Sequence, residues 1–208
     1  MKRLLLIIPL LLVVSTNFAQ LKDFSWGGKI GLNWATFTGD DTDVFEVKTG
    51  LLAGVFARHK LFGNLFIQPG IIYSNKGASV RLVDKNGIIF DYFHDYDYLE
   101  LPVLFKYFFS NKSAPLKPNL FVGPAGLMKL SSVLELKVEG LTADADEQDI
   151  SGFEYGLVFG GGLEFRVEEV YFFLELRFAR SFTSFDESVK DLDKRNSTFT
   201  IATGFTIN

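Results

Sequence analysis

The chain has 208 residues, of which 48% are hydrophobic and 23 are phenylalanine, and its formal net charge is −4. This composition supplies a large apolar core and excludes a disordered chain, and the acidic balance excludes a global positive field that would attract nucleic acid. The sequence has no cysteine. Disulfides, thiolate nucleophiles, Cys-ligated metal sites and a lipidated cysteine anchor are therefore excluded.

The N-terminus has the pattern of an export signal. Residues 1–3 form a short basic start, residues 4–14 are apolar and too short to span a membrane, and Ala19 offers a small residue at the expected cleavage site. A buried N-terminal helix is the alternative. We predict a signal peptide at residues 1–19 and one domain at residues 20–208.

Alternation of apolar and polar residues predicts about eight β-strands along the rest of the chain. They are expected at residues 26–38, 47–58, 65–76, 97–109, 119–131, 153–165, 170–178 and 199–207. The pattern of the second strand is ambiguous because Leu51, Leu52, Val55 and Phe56 place apolar residues on both faces. The alternation therefore predicts one apolar and one polar face on every strand except the second.

The predicted connections alternate in length. The segments after the odd strands lie at residues 39–43, 77–96, 132–150 and 183–197, and the last three of them are long. Shorter ones follow the even strands, at residues 59–64, 110–118 and 167–169. Outer-membrane barrels have this arrangement, with short periplasmic turns and long extracellular loops. We therefore predict an all-β fold, an eight-stranded antiparallel up-and-down transmembrane β-barrel in the cell outer membrane.

A soluble sandwich or a lipocalin-like barrel also alternates, with its polar face in water. Here the polar face holds Gly, Ala and isolated charges of both signs, which fit a crowded lumen where opposite charges can pair. The other face is rich in Phe, Leu, Tyr and Trp, as in a lipid-facing band with aromatic girdles. Arg166 has the inward parity as well. The residues predicted to form a structural charge network in the lumen are Glu100, Lys106, Lys129, Glu154, Glu164, Glu175 and Arg177.

Four segments carry a resemblance to a known family. WGGKIGLNWATFTGDD, FIQPGIIYSNKGA, DYLELPVLFKYFF and NLFVGPAGLM resemble, in order, the landmarks of the small outer-membrane β-barrel family of Gram-negative bacteria. That family is commonly labelled porin-family or PorT-like. The resemblance covers essentially the whole mature chain and implies an eight-stranded barrel, and most members have no assigned biochemical role. Outer-membrane barrels usually end in an aromatic residue. This sequence departs from that pattern, because its aromatic residue, Phe205, comes three positions before the last residue.

The two histidines are the candidates for catalysis. His94 is predicted in an outer loop, where Ser74 or Ser79 is the conceivable partner in a lipid-modifying His–Ser pair. His59 is predicted in a periplasmic turn. No nucleophile motif accompanies either residue, so we expect ordinary solvated histidines and no enzyme activity.

Two carboxylate clusters suit Ca²⁺ in principle, at residues 40–43 and 144–149. Neither has the Gly and terminal Glu of an EF-hand loop. We expect no cofactor and no metal.

An eight-stranded barrel encloses an interior that side chains fill, so no aqueous pore is expected. We predict an integral outer-membrane protein with a structural or interaction role through its long loops. The expected partners are outer-membrane lipid, the barrel-assembly machinery and an extracellular or envelope protein, and no nucleic acid. The alternatives are a soluble periplasmic lipocalin-like ligand-binding barrel and a narrow porin or secretion-associated component.

Overall fold

The computed structural model describes residues 23–39, 45–83, 89–110, 114–138, 141–146, 152–183 and 194–207. Within these ranges no helix has the length and apolarity needed to cross a bilayer. The same ranges contain nine β-strands that form one sheet. They are β1 (Phe24–Gly39), β2 (Phe45–Phe62), β3 (Leu65–Val83), β4 (Ile89–Phe108), β5 (Leu116–Val138), β6 (Leu141–Asp146), β7 (Phe153–Val167), β8 (Val170–Ser181) and β9 (Lys194–Ile207).

Eight of these strands close into a barrel. Neighbouring strands are antiparallel in the order β4-β3-β2-β1-β9-β8-β7-β5, and β4 pairs with β5 to complete the cylinder. The additional strand, β6, pairs only with the far end of β5, from Val138 opposite Leu141 to Val133 opposite Asp146. The predicted closed eight-stranded antiparallel all-β barrel is confirmed.

The faces of the strands follow the period-2 pattern of the sequence. Along β8, buried and exposed side chains alternate: Phe173 and Glu175 are buried, whereas Phe172 and Leu174 are exposed. Because successive side chains of a strand point to opposite faces, the lumen receives one set and the outer surface the other.

The ambiguity of β2 is resolved in the same way. Leu52 and Phe56 point into the lumen, and Leu51 and Val55 point outward. The pattern was unreadable there because both faces are apolar.

Glycines on the inward face give the lumen room for large side chains. A Cβ atom added at Gly160 would lie 2.6 Å from the ring of Phe121 and 2.2 Å from the carbonyl oxygen of Leu176. A Cβ at Gly27 would lie 2.7 Å from the ring of Phe56. The glycines of the polar face therefore belong to a crowded interior.

Tight turns join the strands at one end of the barrel, which we call the turn end. Gly63 and Asn64 connect β2 to β3, and Glu168 and Glu169 connect β7 to β8. Gly63 has φ 52° and Glu168 has φ 55°, so both turns use the left-handed region. The predicted turn at residues 167–169 is confirmed. The opposite end, where residues 40–44, 84–88 and 184–193 lie outside the described ranges, is the loop end.

Two predicted loops are largely strand. In the segment 77–96, β3 continues to Val83 and β4 begins at Ile89. In the segment 132–150, β5 continues to Val138 and β6 follows. The sequence 77–96 is rich in aromatic and β-branched residues, which favour extended strands beyond the part of the barrel marked by alternation.

Both histidine placements were wrong for the same reason. His59 lies within β2, opposite Phe24 and Ile67, because the strand continues to Phe62 before it turns. His94 lies within β4, with its backbone opposite Ala78, and its side chain is outside the described part of the structure.

Candidate functional site

The lumen is the densest collection of ionisable groups in the described structure. Its charged side chains are at most 5% exposed, and they come from six of the eight barrel strands. They are Lys29, Arg58, Lys76, Glu100, Lys106, Glu154, Glu164, Glu175 and Arg177. Buried charges are tolerated only when they are paired and hydrogen-bonded, so their partners define the site.

Glu175 of β8 lies between two lysines. Its Oε1 is 2.5 Å from Lys106 Nζ and its Oε2 is 2.6 Å from Lys29 Nζ. The same Lys106 Nζ is 3.7 Å from Oε1 of Glu164. Each oxygen of Glu175 therefore has its own cation, and Lys106 links two carboxylates.

Glu164 of β7 is the acceptor for an arginine nearer the turn end. Arg58 Nη1 donates to Glu164 Oε1 at 2.5 Å, and Arg58 Nε donates to Ser25 Oγ at 3.3 Å. The guanidinium also lies 5.6 Å from the ring centroid of Phe66 and 5.2 Å from that of Phe108. Aromatic rings thus flank the ion pair.

Glu100 of β4 joins a lysine and an arginine. Lys76 Nζ is 2.6 Å from Glu100 Oε1, and Arg177 Nη2 donates to Glu100 Oε2. Arg177 Nε and Nη1 are buried and have no hydrogen-bond partner among the described atoms. Arg177 is therefore held through one nitrogen only.

Glu154 of β7 has neutral partners. Tyr98 Oη donates to its Oε1 at 2.5 Å, and Ser181 Oγ donates to its Oε2 at 2.6 Å. Glu154 is fully buried, so hydroxyl groups satisfy a buried carboxylate here.

Aromatic rings fill the space between the charged groups. The Phe173 ring lies 5.5 Å from Lys29 Nζ and 5.7 Å from Lys106 Nζ, and Phe121 lies 5.3 Å from the same Lys106 atom. Phe56 packs edge-on against Phe173 with ring centroids 5.8 Å apart. The interior is a packed set of rings and ion pairs.

Six of the seven residues predicted for the lumen network are among the buried charges described above. Lys129 is half-buried, and its Nζ lies 5.0 Å over the ring of Tyr96. Three further buried charges, Lys29, Lys76 and Arg58, were not among the predicted residues. Lys29 and Lys76 have the inward parity that would have revealed them, whereas Arg58 lies in the ambiguous strand.

Arg166 lies on the inward face as predicted, opposite the buried Tyr171 and 5.9 Å from its ring centroid, but it is not buried. It is exposed, and its Nε donates to the carbonyl oxygen of Glu168 at 2.7 Å. β7 ends at Val167, so the side chain reaches past the barrel wall into the turn.

A polar cluster marks the loop-end border of the barrel's outer face. Asp97 Oδ1 accepts hydrogen bonds from Tyr73 Oη at 2.5 Å and Asn75 Nδ2 at 2.9 Å, and Asp97 Oδ2 accepts one from Ser131 Oγ at 2.7 Å. Lys48 Nζ is 2.6 Å from the neighbouring Asp95.

This cluster shifts two pKa values. Burial opposes the charge on Asp97, but the hydrogen bonds from Asn75, Tyr73 and Ser131 outweigh it and hold the pKa of Asp97 below its usual range. The hydrogen bond to Asp97 raises the pKa of Tyr73 to about 12. The cluster therefore favours an ionised Asp97 and a protonated Tyr73.

The rest of the outer surface exposes large apolar side chains on every barrel strand. Ile30 is 64% exposed, Leu51 61% and Leu120 56%. Further examples on the remaining strands are Ile71, Phe105, Phe159, Leu174 and Ile201. Soluble monomers rarely expose contiguous apolar surface of this kind, so the belt requires an apolar environment.

The described part of the structure contains no candidate metal cluster. No group of three or more His, Asp or Glu side chains among them is arranged to hold a metal ion. The side chains of both acidic clusters considered in the sequence, at residues 40–43 and 144–149, lie outside what the structure describes.

Comparison with known proteins agrees with this architecture. The family described as outer membrane protein beta-barrel domain matches residues 18–187. No curated protein matches the chain in sequence.

Similar solved structures are small bacterial outer-membrane proteins. OprG from Pseudomonas aeruginosa is 12% identical over 89% of this chain and 94% of its own, with a TM-score of 0.51. Neisserial surface protein A is 11% identical over 88% and 96%, with a TM-score of 0.47. Ail of Yersinia pestis is 12% identical over 89% and 99%, with a TM-score of 0.41. At these identities the likeness concerns the fold alone.

Proposed function

The chain belongs to the outer membrane protein beta-barrel domain family, and from that premise we propose that it is a non-catalytic integral protein of the outer membrane. Its lumen is a structural plug of ion pairs and rings. Its role is then structural, or an interaction made through the loop end.

One observation supports this proposal above the others: the barrel is apolar outside and charged inside. Leu174 is 50% exposed, whereas its neighbour Glu175 is 1% exposed. A soluble ligand-binding barrel needs the reverse, with apolar residues facing its cavity and charges in water. The inverted pattern suits a barrel whose outer face contacts lipid.

The orientation proposed follows the lengths of the connections. The turn end, with Gly63–Asn64 and Glu168–Glu169, would face the periplasm, and the loop end would face the exterior. β3, β4 and β5 continue toward the loop end, where β6 adds to them, so this sheet would present any surface that a partner recognises.

Partners follow from the surface. The apolar belt would contact outer-membrane lipid, and the assembly machinery would receive β9, whose Phe205 faces outward beside Gly28 and Phe172. A secretion-associated role is the alternative, and no feature of the described residues favours it. A narrow porin is disfavoured by the rings that surround Lys106 and Lys29.

The experiment compares one substitution at two depths. Leu174→Arg places a charge in the belt, and Val167→Arg places it beside a turn, at positions that are 50% and 49% exposed. In a bilayer the first should destabilise the barrel by about 2–4 kcal/mol and the second by about 0–1 kcal/mol. Urea unfolding in lipid vesicles, followed by heat-modifiable gel mobility, measures both.

Fractionation of cells that express the unchanged chain gives the second readout, with the protein expected among outer-membrane components. The proposal would be contradicted if the two arginine substitutions destabilised the protein equally and the unchanged protein were recovered from the soluble periplasm. Large stable conductances in planar bilayers would contradict the filled lumen.

A further inference from the structure

A cavity of about 170 Å³ opens at the turn end of the barrel, below the ion pairs of the lumen. Its mouth is formed by Gly63, Asn64, Ser110 and Lys117, which are at least partly exposed. This volume holds a group of several heavy atoms, since a water molecule occupies about 30 Å³ in the liquid. The proposed function gives the cavity no role.

The inner wall of the cavity carries hydrogen-bond donors that are not used within the barrel. Arg58 is 5% exposed and binds Glu164 through Nη1 and Ser25 through Nε, so its Nη2 has no partner among the described residues. Ser25 accepts that bond from Arg58, and its own hydroxyl hydrogen has no acceptor among the same residues. Arg58 and Ser25 both line the cavity, so two adjacent donors are available to a ligand.

The remaining walls are aromatic. Phe66 and Phe108 flank the Arg58 guanidinium, and the ring of Tyr171 lies 4.1 Å from Lys117 Nζ. Faces of this type pack against a flat apolar group, and Lys117 adds positive charge at the entrance.

The charges of the cavity favour a monoanion. The lining itself is balanced, with Arg58 and Lys117 against Asp23 and Glu164. The linked ion pairs behind it carry one excess positive charge, because Arg58, Lys106 and Lys29 face only Glu164 and Glu175. Glu164 is already compensated by Arg58 at 2.5 Å and by Lys106 at 3.7 Å. A carboxylate matches two adjacent donors, whereas a phosphate dianion would add a second charge beside Glu164.

We propose that this turn-end cavity binds a small carboxylate carried on an aromatic or flat apolar body. The carboxylate accepts hydrogen bonds from Arg58 Nη2 and Ser25 Oγ, and the body packs between Phe66, Phe108 and Tyr171. This inference goes beyond the proposed function. It rests on the local geometry and is independent of which side of the membrane the turn end faces.

The test uses the full chain, refolded in lipid nanodiscs, and three probes. Benzoate, its neutral isostere benzamide and inorganic phosphate are titrated while the backbone amide resonances of Asn64 and Lys117 are followed by NMR. Benzoate should shift these amides saturably, and benzamide should bind about tenfold more weakly or worse, because hydrogen bonds to charged groups are the stronger ones. Equal affinity for benzoate and benzamide, or tighter binding of phosphate, would overturn the proposal.

Variants then locate the site. Arg58→Gln alone leaves Glu164 without its nearest cation, so the double variant Arg58→Gln/Glu164→Gln is used to remove both charges together. It should lose benzoate binding at least tenfold. Arg180→Gln is the matched control, since Arg180 is an exposed arginine of the barrel that does not line the cavity. Undiminished binding by the double variant, or equal loss in the control, would contradict the assignment. The comparison of benzoate with benzamide on the unchanged chain decides the matter even if the double variant does not fold.

Discussion

Glu175 and Glu154 are both at most 1% exposed inside the same barrel, yet their surroundings differ. Glu175 lies between the ammonium groups of Lys29 and Lys106, at 2.6 and 2.5 Å. Glu154 receives two hydroxyl hydrogens, from Tyr98 and Ser181. A buried carboxylate can thus be satisfied by cations or by neutral donors in one lumen.

The two solutions have different consequences when they are disturbed. Removing a carboxylate from between two lysines leaves buried positive charge without compensation, which is strongly destabilising. Removing a carboxylate from between two hydroxyls leaves no charge behind. We therefore expect a larger loss of stability when one member of the lysine–glutamate unit is removed than when one member of the hydroxyl–glutamate unit is removed.

The largest expected effect comes from the first unit. Glu175→Gln should lower the free energy of unfolding by about 3–5 kcal/mol. The substitution leaves Lys29 without its carboxylate partner and removes the nearer of the two carboxylates that pair with Lys106. Urea titration followed by the fluorescence of Trp26 and Trp34 measures the loss. The double variant Lys29→Met/Glu175→Gln should recover part of it, since Lys106 keeps Glu164 at 3.7 Å. A loss below about 1 kcal/mol would mean that the lysines are solvated, against the packed lumen.

The second unit should respond less. Ser181→Ala leaves one oxygen of Glu154 without its donor, and we expect a loss of about 1–3 kcal/mol. In a Glu154→Gln background, Ser181→Ala should lower the free energy of unfolding by less, because the side chain left without its donor is then a neutral amide. A double-mutant cycle by urea unfolding gives this difference directly. Equal costs in both backgrounds would show that Glu154 is not the group that Ser181 serves.

Parity along the strands assigns these residues to the inward face but does not give their pairings. Lys29 and Glu175 are separated by 146 positions in sequence. They meet because β9 lies between their strands, with Gly204 opposite Lys29 and Ala202 opposite Glu175. Periodicity assigns a residue to a face, whereas this contact depends on the stagger of the strands, which alternation does not encode.

The differences at the ends of strands have a related cause. Arg166 has the right parity for the lumen, but β7 ends one residue later and its side chain turns into the connection. His59 is in the opposite situation, because β2 continues past the point where alternation fades. Parity specifies direction, and only the closed barrel specifies how far along each strand the interior extends.

Asp97 extends the comparison to a third carboxylate and gives the smallest expected effect. It has neutral donors, as Glu154 does, but it is partly exposed at the loop-end border. Its pKa is held below the ordinary value of about 3.9, so its contribution to stability is present above that pH and is lost as the pH falls through its folded pKa.

Asp97→Asn should therefore be less stable than the unchanged chain by under about 1 kcal/mol near pH 6, since water screens a partly exposed charge. The difference should shrink as the pH falls below about 4, where the unfolded chain begins to bind the proton. Urea unfolding at a series of pH values measures it. If the stability difference is undiminished at pH 2, the contribution of Asp97 comes from packing of its side chain and not from its charge. Asp97 and Glu154 would then differ in more than their exposure to water.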